Sequence, residues 1–125
     1  MMFPALSLIL NKRKVLVAVQ KIGQYVSIKD SVAIAEVDGK YDLGITTSVF
    51  DDLEKAYRQG CTSVCFEMAN TTYIVSATER MIYKVCRTYG GAKNVQIINA
   101  KGRVLAALQT GAVDKFILVN GGQQG

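Results

Sequence analysis

The chain contains no histidine, and that absence removes more chemistry than any motif in it adds. Without an imidazole there is no Ser-His-Asp triad, no Cys-His pair, no zincin helix and no histidine general base. Cysteine is sparse: Cys61, Cys65 and Cys86 are odd in number, show no Cys-x-x-Cys spacing and have no histidine to complete a zinc site. They read as buried free thiols in a reducing compartment. One proline and no tryptophan exclude a proline-rich linker protein. Neither Gly-x-Gly-x-x-Gly nor Gly-x-x-x-x-Gly-Lys-Ser/Thr occurs, so both nucleotide-binding fingerprints are missing. The expectation is a protein that is not an enzyme, with no catalytic residues, no metal and no cofactor.

What is present suits one globular domain. The chain has 125 residues and 13.6 kDa, half of it hydrophobic and a fifth charged. A chain of this size buries roughly 65% of its unfolded surface and needs no staples. Residues 1–120 read as a single domain and 121–125, Gly-Gly-Gln-Gln-Gly, as a flexible tail. The net charge is +5, but the only basic run is Lys12-Arg13-Lys14, which argues against a nucleic-acid face. The N-terminus places its apolar stretch, Met1 to Leu10, before those charges. That is the reverse of a secretory signal, and the stretch is too short to span a bilayer. We therefore expect a cytoplasmic protein without membrane insertion. Its lead-in (Phe3, Leu6, Leu8) should pack on the domain or on a sister chain, so a homodimer is an open option.

Strand and helix patterns alternate. Short β-rich runs occupy 15–19, 32–37, 63–68, 94–98 and 116–119. The first helical pattern, over 47–59, puts Val49, Leu53, Ala56 and Tyr57 on one face and ends at Gly60. Ser48 with Asp51 resembles a capping box there, and Asp51, Asp52 and Glu54 read as dipole-complementing surface charges of the early turns. A second helix, over 76–89, buries Met81, Ile82, Val85, Cys86 and Tyr89. It turns Arg80, Lys84 and Arg87 to water and stops at Gly90-Gly91. A third, over 102–109, points Val104, Leu105 and Leu108 inward and stops at Gly111. The expected fold class is α/β: a mixed sheet of four to five strands with helices packed on it.

One segment, Thr71 to Ile82, joins a strand to the second helix with Ser76 at the junction. By local chemistry Ser76-x-x-Glu79 is a capping box, whose loss costs about 1 kcal/mol. The same residues carry a resemblance. Tyr73-Ile74-Val75-Ser76-Ala77 followed by Met81-Ile82 resembles the signature of the STAS domain, the fold of bacterial anti-sigma-factor antagonists. Upstream, Val37-Asp38-Gly39-Lys40-Tyr41-Asp42 resembles that family's acidic strand end. Downstream, Val95 to Asn99, Gly102-Arg103-Val104 and Leu108-Gln109-Thr110-Gly111 resemble its strand, helix and Leu-x-x-Thr-Gly ending. The three motifs lie in order over residues 30–119.

The resemblance implies an anti-sigma-factor antagonist-like regulator that binds a protein partner, an anti-sigma serine kinase. It implies phosphorylation at Ser76 and a binding face made of Gly39, Asp42, Val75, Ser76, Ala77, Thr78 and Arg80. A phosphate there would gain from the helix N-terminus and, set in a contact, would disrupt that contact by repulsion and desolvation. The sequence departs from the family at Val75, which replaces Asp or Ser. It departs again at Thr78, which replaces Gly, and at Glu79, which replaces an apolar residue. Those departures define the alternative: a non-phosphorylated STAS adaptor in a signalling or lipid-transport assembly.

Overall fold

A computed structural model describes residues 6–10 and 16–122. In chain order the elements are β1 (Leu6–Leu10), β2 (Leu16–Lys21), β3 (Val26–Lys29), β4 (Val32–Glu36), β5 (Gly39–Tyr41) and α1 (Leu43–Arg58). There follow β6 (Ser63–Glu67), β7 (Thr71–Ile74), α2 (Ser76–Thr88), β8 (Val95–Ile98), α3 (Gly102–Thr110) and β9 (Leu118–Val119). The main sheet has the order β1-β2-β3-β4-β6-β8-β9, and β5 and β7 form a separate parallel pair.

The sheet is mixed, as expected, and carries helices. Its seven strands exceed the expected four to five because the N-terminal part is an antiparallel meander, β1 to β4. The β3–β4 hairpin turns on Asp30 and Ser31 alone, both in the left-handed region, the geometry that a two-residue turn demands. From β4 onward each strand returns through a crossover and pairs in parallel, β4 with β6, β6 with β8 and β8 with β9. The apolar lead-in joins the sheet through Leu6–Leu10, paired with β2. Phe3, the run Lys12-Arg13-Lys14 and residues 123–125 of the expected tail lie outside the described residues. The start of that tail, Gly121-Gly122, closes a 3-10 turn with Asn120.

Register sets the core. Ala33, Val64 and Val95 form one row across β4, β6 and β8. Ala35, Phe66, Ile97 and Val119 form the next, and all are buried. Alanines on β4 let α1 approach closely with Val49, Leu53 and Ala56, while Met81, Ile82, Val85 and Cys86 fill the α2 side as expected. On the other face, Ile34, Cys65, Gln96 and Leu118 share a row in which Gln96 and Leu118 are exposed.

Several local expectations are corrected. Helix α1 begins at Leu43, four residues before its expected start, because the Asp42 carboxylate accepts from the Ile45 N–H at 2.8 Å. Ser48 is therefore interior and caps nothing. Asp51, Asp52 and Glu54 sit mid-helix. Asp52 is 8% exposed, paired with Lys55 at 3.7 Å and packed so tightly on Gly23 that a Cβ there would collide with its carboxylate. Tyr57, expected inside, is exposed and stands edge-on to Tyr89. The last strand is shortened to Leu118–Val119 because Val113–Lys115 form a 3-10 turn. The three cysteines are buried and free, and burial raises all three thiols, Cys86 to about 11, which disfavours the thiolate form.

Candidate functional site

The two-stranded pair β5–β7 builds the site. Its register is Gly39↔Thr71, Lys40↔Tyr73 and Tyr41↔Ile74, with a bulge between Gly39 and Lys40. Gly39 sits at φ 97°, a conformation that favours glycine, and its N–H donates to the Asn70 carbonyl. Each strand ends on a buried anchor, Tyr41 or Ile74. Each is then followed by a single cap residue, Asp42 or Val75, and a helix. Because the strands pair in parallel, the N-termini of α1 and α2 emerge side by side, and their positive dipole ends meet at one surface.

Thr78 locks the two junctions together. Its Oγ1 accepts from the Val75 N–H at 3.3 Å and lies 3.0 Å from Thr46 Oγ1 on α1 and 3.5 Å from the Tyr41 carbonyl. The Thr71 hydroxyl adds a bond to the Val37 carbonyl at 2.8 Å. Here the expectation for Ser76 is corrected. The cap position belongs to Val75, whose side chain has no acceptor, and Ser76 is the first helical residue. The capping work falls to Thr78 instead. Glu79 takes no part in a box with Ser76; its carboxylate lies against Gly111, where a Cβ would collide with it.

Ser76 is exposed, and its hydroxyl makes no hydrogen bond among the described residues. Arg80, one turn further along α2, is exposed as well, and Asp42 stands at the adjacent junction. Val75 and Ala77 are half-buried beside them, and Gly39 is half-buried at the start of β5. The geometry thus brings Asp42, Val75, Ser76, Ala77 and Arg80 together at the twin junction, whereas Gly39, opposite Thr71, lies at the other end of the β5–β7 pair. Thr78 is the correction: it is fully enclosed (0% exposed), so it shapes that surface without being available for contact. Sequence reasoning missed Thr46, its partner, and Leu43 and Lys84, which line a groove between the helices; the displaced start of α1 concealed the first two.

Tyr41 is buried with no partner for its hydroxyl among the described residues, and desolvation pushes its pKa far above the usual tyrosine value. Among the described residues no group of three acidic or cysteine side chains could hold a metal ion. Nor is any helix there long and apolar enough to cross a membrane. At the carboxyl ends of β6 and β8 the polar groups satisfy one another. Glu67 accepts from the Ala69 N–H and from Asn99, while Asn120 exchanges two hydrogen bonds with the Ala100 backbone.

No protein-family model matches the chain, and no curated protein matches it. Solved structures do. The anti-sigma factor antagonist SpoIIAA in its unphosphorylated form aligns over 82% of this chain and 86% of its own, with a TM-score of 0.57 and 9% identity. The Thermotoga maritima protein TM1081, assigned as an anti-sigma factor antagonist, aligns over 75% of this chain and 82% of its own, with a TM-score of 0.66 and 13% identity. The phosphorylated form of the Bacillus cell fate determinant SpoIIAA covers 82% of this chain and 89% of its own, with a TM-score of 0.55 and 8% identity. At these identities the likeness is one of fold.

Proposed function

From the STAS fold that this chain shares with those structures, we propose that the protein is an anti-sigma-factor antagonist-like regulator. It binds a partner serine kinase at the twin strand–helix junction and is released by phosphorylation of Ser76. The observation that carries this reading is the state of Ser76: exposed, first in α2, and free of intramolecular hydrogen bonds among the described residues. A serine needed as a cap would have its oxygen occupied. This one is open to a kinase, and the cap is made by Thr78.

The electrostatics agree. A phosphoserine at this position adds nearly two negative charges and three acceptor oxygens. Two converging helix N-termini and Arg80 favour it, while Asp42 and the first-turn Glu79 oppose it. Inserted into a protein contact, the same charge costs desolvation and repels acidic groups of the partner. The likeness to one neighbour solved in both unphosphorylated and phosphorylated forms supports the switch. The apolar Val75 favours the second reading, an adaptor that binds without being modified, since it offers a kinase no polar handle next to Ser76.

The two readings separate on three proteins in a binding assay with the cognate kinase. For the switch, wild type and Ser76→Ala bind alike, and Ser76→Asp loses binding while melting at the wild-type temperature. If Ser76→Asp binds as well as wild type and the kinase transfers no phosphate, the switch is rejected and the adaptor reading stands.

A further inference from the structure

Helices α1 and α2 run parallel from their paired strands and leave a groove of about 240 Å³ between their first turns. Its apolar lining is Leu43, Phe50, Ala77 and Met81, and its charged lining is Arg80 and Lys84. Leu43 is 66% exposed, more than any other large apolar side chain described. Leu43 stands at the lip of this groove, next to its apolar lining. The rim is cationic on the α2 side: Arg80 and Lys84 are exposed, one turn apart, and neither is in an ion pair among the described residues.

Three acidic side chains of the two helices and their caps have other contacts. Asp42 accepts from the Ile45 N–H. Glu54, on the same stripe of α1 as Leu43 and Phe50, accepts from the Thr88 hydroxyl at the far end of the helix pair. Glu79 is turned to Gly111. Among the described residues no carboxylate forms an ion pair with Arg80 or Lys84.

We propose that this groove docks an amphipathic segment of the partner protein. An apolar side chain of that segment packs beside Leu43 and Phe50, and its acidic residues face Arg80 and Lys84. The proposal rests on the partner-binding reading above and gives the partner its chemistry. It also links the groove to Ser76, which lies four residues before Arg80 on α2. A phosphate on Ser76 and a carboxylate of the partner would compete for the same guanidinium, because residues at this spacing are neighbours on a helix surface.

The test uses two synthetic helical peptides with one leucine face. One carries glutamates on the flanks, and the other carries lysines in their place. Each is titrated into isotope-labelled protein and followed by NMR. The acidic peptide should shift the amides of Leu43, Ala77, Arg80 and Lys84, and the lysine peptide should not bind. The R80E/K84E double variant, with both sites exposed and its fold checked by melting temperature, should lose affinity on the order of tenfold or more. Equal binding of both peptides, shifts mapping outside the groove, or an unaffected double variant would overturn the proposal. The cognate kinase separates the levels. If it binds wild type and R80E/K84E equally, the groove is wrong and the partner-binding reading survives. If it binds neither, that reading fails and the groove proposal with it.

Discussion

Replacing Thr78 by valine keeps the side-chain volume and removes one oxygen, and that oxygen is the hub of the site. In the wild type it accepts from the Val75 N–H and bonds to Thr46 Oγ1 in a fully enclosed position. Losing the acceptor uncaps α2, a cost of about 1 kcal/mol. It also strands the buried Thr46 hydroxyl, which costs a further ~1–3 kcal/mol because the group stays desolvated without a partner. Thr78→Val should thus destabilise the domain by about 2–4 kcal/mol. For a chain of 125 residues this is a fall in Tm of roughly 8–16 °C. Ser76→Ala, two residues away, should cost under ~0.5 kcal/mol, because it removes an exposed hydroxyl with no partner among the described residues. Urea unfolding of both variants by circular dichroism reads the difference. Adding Thr46→Val to Thr78→Val should recover part of the loss, since the orphaned hydroxyl goes with it. A Thr78→Val variant as stable as wild type, or a Ser76→Ala variant that loses 1 kcal/mol or more, would refute the assignment of the cap to Thr78.

Other substitutions test neighbouring parts of the account. Asp42→Ala should lower stability by about 1 kcal/mol in a thermal melt, because Asp42 caps α1; being exposed does not make it neutral, and an unchanged Tm would contradict the cap. Tyr41→Phe removes a buried hydroxyl without a partner among the described residues. It should leave stability unchanged or raise it by up to ~1 kcal/mol, so a loss beyond that in urea unfolding would mean that the hydroxyl is satisfied. Asp52 has a raised pKa, chiefly because burial disfavours its charge, with Lys55 opposing the rise. The folded state therefore holds this proton more tightly than the unfolded state, and the contribution of Asp52 to stability declines as pH rises from 3.8 through the raised value. Asp52→Asn lacks that titration, so its stability relative to wild type should increase between pH 3.5 and pH 7 in paired urea titrations; a constant difference would reject the shift.

Much of this architecture is readable along the chain, and the exceptions have physical causes. The helix stops at Gly60, Gly90-Gly91 and Gly111 are local events, and the buried stripe of α2 follows its 3.6-residue period. Helices α2 and α3 start at the expected Ser76 and Gly102, and α1 alone starts early. Leu43-Gly44 is a poor helix opening by propensity, and Ser48 with Asp51 imitates a capping box one turn later, so the true cap at Asp42 is hidden. At α2 the start is as expected and only the cap differs, for a tertiary reason. Thr78 is held by Thr46 and by the Tyr41 carbonyl from across the fold, contacts that no local pattern announces. Strands β3, β5 and β7 have three or four residues each and mix Ser, Lys and Thr with single apolar residues, too short for alternation to register. That Asp42, Ser76 and Arg80 lie near one another could be expected from the resemblance. The enclosure of Thr78 and the groove beside Leu43 required coordinates, because they depend on the spacing between two helices far apart in sequence.

The central claim is that Ser76 is a modifiable hydroxyl on a partner-binding surface. Phosphosite mapping by mass spectrometry, on protein incubated with its cognate serine kinase and ATP, tests it most directly. The account predicts incorporation at Ser76 and at no other hydroxyl, with loss of kinase binding in the modified fraction. Phosphate at another residue, or none at all from a kinase that demonstrably binds the protein, would contradict it.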